Sequence, residues 1–194
     1  FARMTAAQPD ATTWTVARLL TWTRDYFERS KVESPRLCAE ILLAHAMECE
    51  RIRLYTRFEE TPSDELLARF RGLVKKAATG QPIAYLTGSK EFFSLPLEVT
   101  PDVLIPRPET EVLVERTIDI VRKSGHPDAA VLDLGTGSGC IAVSLARHLP
   151  QARLFASDIS PPALEVARRN ATRHGVGERI EFRLGNLFEP WLAP

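Results

Sequence analysis

Cysteine is scarce in this 194-residue chain, long apolar runs are missing, and neither sign of charge is in excess. The three cysteines, Cys38, Cys49 and Cys140, are odd in number and form no C-x-x-C pair. That excludes a disulfide framework and a structural zinc site, and it points to a reducing compartment. No run approaches the roughly 18 uncharged apolar residues of a membrane span. No short apolar stretch follows basic residues at the start, so no signal peptide is expected and the expected location is cytoplasmic. Lys plus Arg and Asp plus Glu are 25 each, for a net charge of +0. That balance argues against gripping nucleic acid by bulk electrostatics. Hydrophobic residues at 44% and charged residues at 26% are ordinary globular usage, enough for one large or two small domains.

Residues 1–80 read as helical. Val16, Leu19, Leu20, Tyr26 and Phe27 form one stripe of an amphipathic helix over 14–29. Ser34 before Pro35 reads as an N-cap with proline in the first turn, opening a helix that turns Leu37, Ile41, Leu42 and His45 inward. Thr61-Pro62-Ser63-Asp64 resembles a capping box with Thr61 as the cap, before a helix burying Leu66, Leu67, Phe70, Val74 and Ala77 and stopped by Gly80. No catalytic constellation occurs here; partner binding or plain packing are the two readings, and His45 reads as a packing residue.

Residues 81–107 change character. Short β-prone runs at 91–95 and 97–100 flank Pro96 and predict a hairpin or extended pair, followed by a stiff linker through Pro101, Pro106 and Pro108. A helical pattern returns over 109–123, with Val114, Thr117, Ile118 and Val121 on one side.

The chemistry-bearing pattern lies in 129–188. A nearly continuous apolar run over 129–134 predicts a parallel strand buried on both faces. It feeds into Gly135-Thr136-Gly137-Ser138-Gly139 and then a helix, a strand over 153–158, a Ser160-capped helix to His174, and a third strand over 179–184. This β-α-β-α-β order is half of a doubly wound sheet, which binds nucleotides at the carboxyl ends of its strands. Glycines there let backbone N–H groups and a helix N-terminus approach a ligand closely. Asp158 ends the second strand, where a carboxylate can accept both hydrogens of a ribose diol; capping the following turn is its alternative role.

The dinucleotide fingerprint G-x-G-x-x-G needs a third glycine, or alanine, at position 140, where this chain has Cys140. The spacing is instead Asp133-x-Gly135-x-Gly137-x-Gly139, which resembles motif I of the Rossmann-like S-adenosylmethionine-dependent methyltransferases. Three further blocks narrow the resemblance: Gln81-Pro82-Ile83-Ala84-Tyr85-Leu86-Thr87-Gly88, then Glu91-Phe92-Phe93, then Leu104-Ile105-Pro106-Arg107-Pro108-Glu109-Thr110-Glu111. In this order they resemble the HemK/PrmC family, the release-factor glutamine methyltransferases.

The resemblance implies a helical substrate-recognition domain over 1–80, a β-hairpin linker over 81–107, and the first half of a Rossmann-like methyltransferase sheet over 108–194. It implies S-adenosylmethionine as cofactor, with Gly135, Thr136, Gly137, Ser138 and Gly139 lining its methionine part and Asp158 its ribose. Asn186 would stand beside the adenine, where an Asp is more usual in the family, and Leu187 would contact the adenine face. The implied substrate is the glutamine of the Gly-Gly-Gln tip of class I peptide chain release factors, with no direct nucleic-acid or membrane binding. The family's catalytic Asn-Pro-Pro-Tyr tetrapeptide does not occur in this sequence. No catalytic residue and no metal ligand is therefore assigned within 1–194; the polypeptide is expected to continue, and this segment alone is expected to be inactive. Three other readings share parts of the pattern: a ribosomal-protein glutamine methyltransferase, an adenine-N6 nucleic-acid methyltransferase, and a cofactor-binding module without catalysis.

Overall fold

A computed structural model of the protein describes residues 13–192. Residues 1–12 and 193–194, the outer ends of the expected helical and methyltransferase domains, lie outside the described residues. The chain divides into two compact units, Phe1–Thr87 and Gly88–Pro194. Of the segment expected as hairpin and linker over 81–107, residues 81–87 thus fall in the first unit and the hairpin in the second.

The first unit is helical. Helix α1 (Val16–Arg29) starts where Thr15 Oγ1 accepts the Arg18 N–H, and it buries Val16, Leu19, Thr23 and Phe27. Helix α2 (Pro35–Ala46) differs from expectation in two ways. Ser34 is left-handed and makes no side-chain cap bond, so the start rests on Pro35, whose missing N–H costs nothing in a first turn. The inward face is Ala39, Leu42, Leu43 and Ala46, while Leu37 and His45 are exposed. Both sets are compatible with a 3.6-residue period; packing of α2 on its helical neighbours selects the first. Helix α3 (Asp64–Ala78) is capped by Ser63, whose Oγ accepts the Leu66 N–H, two residues later than Thr61. Its buried residues are Leu67, Phe70, Val74 and Ala77, and Leu66 is only half-buried. Gly80, at φ +92°, follows the C-cap as expected. A further short helix, α4 (Ile83–Thr87), occupies the start of the segment expected as hairpin and linker.

The second unit opens with an antiparallel hairpin, β1 (Ser89–Phe92) and β2 (Leu95–Glu98), in register Phe92↔Leu95. Its turn is Phe93-Ser94, both at positive φ, and not the Pro96 position read from sequence; Pro96 lies inside β2 opposite Glu91. A two-stranded hairpin tolerates this because an edge residue has no obligatory N–H to supply. The hairpin is docked at several points. Glu111, in the first turn of α5 (Pro108–Lys123), accepts the Phe93 N–H at 2.9 Å. Its far strand is held by α7 (Pro161–Arg173) and the residue after it: Arg169 pairs with Glu98 at 2.7 Å and His174 Nε2 lies 3.0 Å from Pro96 O.

Strands β3 (Ala130–Leu134), β4 (Arg153–Asp158) and β5 (Ile180–Leu184) form a parallel sheet in the order β3-β4-β5. Helix α6 (Cys140–His148) joins β3 to β4, and α7 joins β4 to β5. The β-α-β-α-β reading is therefore the observed topology. One expectation fails: β3 is not buried on both faces. It is an edge strand among the described residues, with Ala130 exposed and Val131, Leu132 and Leu134 half-buried, because only β4 pairs with it. The core lies between the helices and the sheet around Val114, Ile118, Val143, Leu145, Leu154 and Ala156. Arg179 closes the end of α6 by donating to the carbonyls of Ala146, Leu149 and Ala152, which suits both the orphan carbonyls and the negative end of the helix dipole. A last turn, α8 (Glu189–Leu192), follows β5.

Candidate functional site

The carboxyl ends of the three parallel strands carry the site, where a doubly wound sheet leaves its crevice. The chain leaves β3 at Leu134 and turns sharply: Gly135 N–H and Thr136 N–H both donate to Ser157 O at 2.8 and 3.0 Å. Gly139 N–H then donates to Thr136 O at 2.8 Å, closing the loop onto α6. Gly135, Gly137 and Gly139 all have positive φ, at +71°, +55° and +78°. An added Cβ would meet nothing within 4 Å at Gly135 or Gly137, so the loop borders open space there. Gly139 is different: a Cβ would stand 3.0 Å from Ala167 Cβ, because α7 closes the loop from behind.

Asp158 ends β4 and reaches both ways. Its Oδ2 accepts the Gly137 N–H and its Oδ1 the Ser160 N–H, each at 2.9 Å. The turn-cap role weighed against ribose binding is thus present, and the same carboxylate also tethers the glycine loop. A carboxylate has about four acceptor directions, so two hydrogen bonds leave room for a diol. Asp133, at the end of β3, is buried and accepts the Thr136 hydroxyl at 2.7 Å. Burial pushes its carboxyl above the usual carboxylate range and Asp158 adds to this, against the Thr136 hydroxyl and the Ala142 N–H, which favour the anion. Cys140, where a dinucleotide fingerprint would need glycine, has its thiol pushed up to about 11 by burial, so it is no nucleophile at neutral pH. Ser138 Oγ is buried beside the Cys140 thiol.

Of the residues singled out from sequence, Gly135 to Gly139 and Asp158 are brought together by direct hydrogen bonds. The 185–188 turn joins them less closely: Gly185 N–H donates to Asp158 O at 3.0 Å, while Asn186 and Leu187 are both exposed, Leu187 with φ +47°. Sequence reasoning missed Ser157, whose carbonyl takes two loop N–H groups and whose hydroxyl accepts the Trp191 indole N–H at 3.2 Å. It also missed Asn170, fully buried on the apolar face of α7; a polar residue on an otherwise apolar stripe was the available signal. Among the described residues no cluster of His, Cys, Asp or Glu could hold a metal ion, and no helix is long and apolar enough to cross a membrane.

Comparison with known proteins gives two family matches: a PrmC N-terminal domain over residues 18–88 and a methyltransferase domain over 125–192. A curated relative from Rhodopirellula baltica, named release factor glutamine methyltransferase, is 48% identical over 180 residues, 92% of this chain and 61% of the relative. These matches bear out the resemblance to the HemK/PrmC family. A second relative of the same name, from Geobacter sulfurreducens, is 46% identical over 177 residues, 91% of this chain and 60% of that protein. The chain thus spans about three fifths of the length of these curated relatives. A solved RNA methyltransferase from Salinibacter ruber, in complex with S-adenosyl-L-homocysteine, is 34% identical with a TM-score of 0.37, covering 44% of this chain and 52% of that one.

Proposed function

We propose that this chain carries the recognition domain and the cofactor half of an S-adenosylmethionine-dependent methyltransferase. Its substrate is the side-chain amide of the Gly-Gly-Gln glutamine in class I peptide chain release factors. The observation that carries this reading is the glycine loop tethered to Asp158, in a chain whose relatives are named for that activity. The helical residues up to about 80 recognise the protein substrate, 81–107 connect, and 108–194 hold the cofactor. The setting is the cytoplasm, with no direct nucleic-acid contact.

The residues present fit the cofactor. Open space beside Gly135 and Gly137 leaves a cradle that a side chain would fill. Gly135 to Gly139 would hold the methionine part, Asp158 the ribose hydroxyls, and Asn186 and Leu187 the adenine. When bound, S-adenosylmethionine supplies an electrophilic sulfonium methyl. An amide nitrogen is a poor nucleophile because its lone pair is delocalised, so orientation and preorganised hydrogen bonds must supply most of the rate. This chain's contribution is to fix the methyl donor; the groups that would hold the glutamine amide belong to a tetrapeptide the sequence does not contain. Calorimetric titration with S-adenosylhomocysteine and with NAD tests the reading. Saturable binding of the first supports it, and binding of NAD alone would overturn it.

A further inference from the structure

We infer that Asn170 is a positioning residue for the glycine loop and ties the loop's shape to the β1–β2 hairpin, an inference that rests on the cofactor reading above. Asn170 is 0% exposed and uses both donor hydrogens and its acceptor. Its Nδ2 donates to Ser138 O and to Glu98 O, each at 2.9 Å, and its Oδ1 accepts the Glu98 N–H at 2.7 Å. The carboxamide therefore mimics a neighbouring strand for one residue at the free edge of β2. Its remaining hydrogen reaches the loop.

That hydrogen acts on one particular peptide group. The Ser138–Gly139 peptide is gripped at both ends, its oxygen by Asn170 and its N–H by Thr136 O at 2.8 Å. Rotation of that peptide would break both bonds, and it is the plane that sets the entry into α6. Ala167, one turn earlier on the same face of α7, stands against Gly139 and closes the space behind it. Asp would offer two acceptors and no donor, leaving two buried carbonyls facing a carboxylate. The other ties between this end of the fold and the hairpin, Arg169 with Glu98 and His174 with Pro96 O, do not involve Ser138. They make a built-in control for a role that is only structural.

The test uses the intact protein with Asn170→Asp, Asn170→Ser and the control Arg169→Gln. S-adenosylhomocysteine affinity is read by calorimetry and amide exchange by NMR. Both Asn170 variants should bind about tenfold more weakly, the scale expected when a buried carbonyl loses its donor. Exchange at Gly139 should quicken in both variants, and at Glu98 in Asn170→Ser, where the Glu98 N–H loses its carboxamide acceptor, while the β4–β5 amides stay protected; Arg169→Gln should leave affinity and Gly139 exchange unchanged. Unchanged affinity and Gly139 exchange in a folded Asn170 variant would overturn the inference. Failure of the wild type to bind S-adenosylhomocysteine would instead overturn the cofactor reading, with Gly139 exchange still deciding whether Asn170 holds the loop.

Discussion

Gly137 donates its backbone N–H to Asp158 Oδ2 at 2.9 Å, so the carboxylate suited to a ribose diol also fixes the loop that would hold the rest of the ligand. Binding and loop shape therefore share one side chain. Substitution there acts on both.

Asp158→Ala should weaken S-adenosylmethionine binding at least about tenfold, through the loss of charge-assisted hydrogen bonds worth about 1.5–3 kcal/mol each. It should also lower the stability of the free protein by about 1–3 kcal/mol, because the Gly137 and Ser160 N–H groups lose their acceptor. Calorimetry and thermal unfolding on the same samples check the pair. A cofactor effect with no stability effect would mean that the two backbone bonds are dispensable.

Gly139→Ala and Gly72→Ala should move stability in opposite directions. At Gly139 the φ of +78° strains any L side chain, and the new Cβ meets Ala167 Cβ at 3.0 Å and Cα at 3.2 Å, so a loss of about 2 kcal/mol or more is expected. Gly72 lies inside α3 with open space around it, where alanine should add about 0.5–1 kcal/mol. Denaturant midpoints measure both. Similar effects at the two sites would contradict the packing of the loop on α7.

Glu40, on α2 of the helical unit, is buried. Burial raises its carboxyl, but the Tyr55 hydroxyl at 2.6 Å and the Arg36 guanidinium at 2.9 Å outweigh this, and Arg51 adds to them, so the net displacement is downward. A carboxyl lowered by folding contributes stability that is complete above the unfolded glutamate value, about 4.3, and is lost as pH falls through the folded value. Tyr55→Phe should therefore destabilise this unit by about 1 kcal/mol at pH 7 and by less at pH 3. Denaturation of both proteins across that range gives the comparison, and an equal deficit at both pH values would remove Glu40 as the cause.

The 194-residue segment should bind S-adenosylmethionine but transfer no methyl group to a release factor, because the sequence has no Asn-Pro-Pro-Tyr to hold the amide in line. A radiolabel transfer assay decides this. Turnover by this segment would show that residues within 1–194 hold the glutamine themselves.

The sequence by itself determined the alternation of elements from 129 to 184, the glycine loop between a strand and a helix, and the placing of Asp158 at a strand end. These are local facts: apolar runs, caps and positive-φ glycines act over a few residues and leave a direct trace in the chain. Only the tertiary structure decided which apolar face of α2 turns inward, because 37/41/42/45 and 39/42/43/46 both suit a helical period, share only Leu42, and are chosen between by neighbouring helices. It likewise decided that the hairpin turns at Phe93-Ser94, where Glu111 supplies an acceptor eighteen residues away in sequence. Asn170 is the clearest case. Its three bonds join residues 32 and 72 positions distant, and no periodicity within α7 encodes which carbonyls a buried amide will meet. The site's ingredients were local, and the hydrogen bonds that hold them in one shape exist only once the chain has brought its distant segments together.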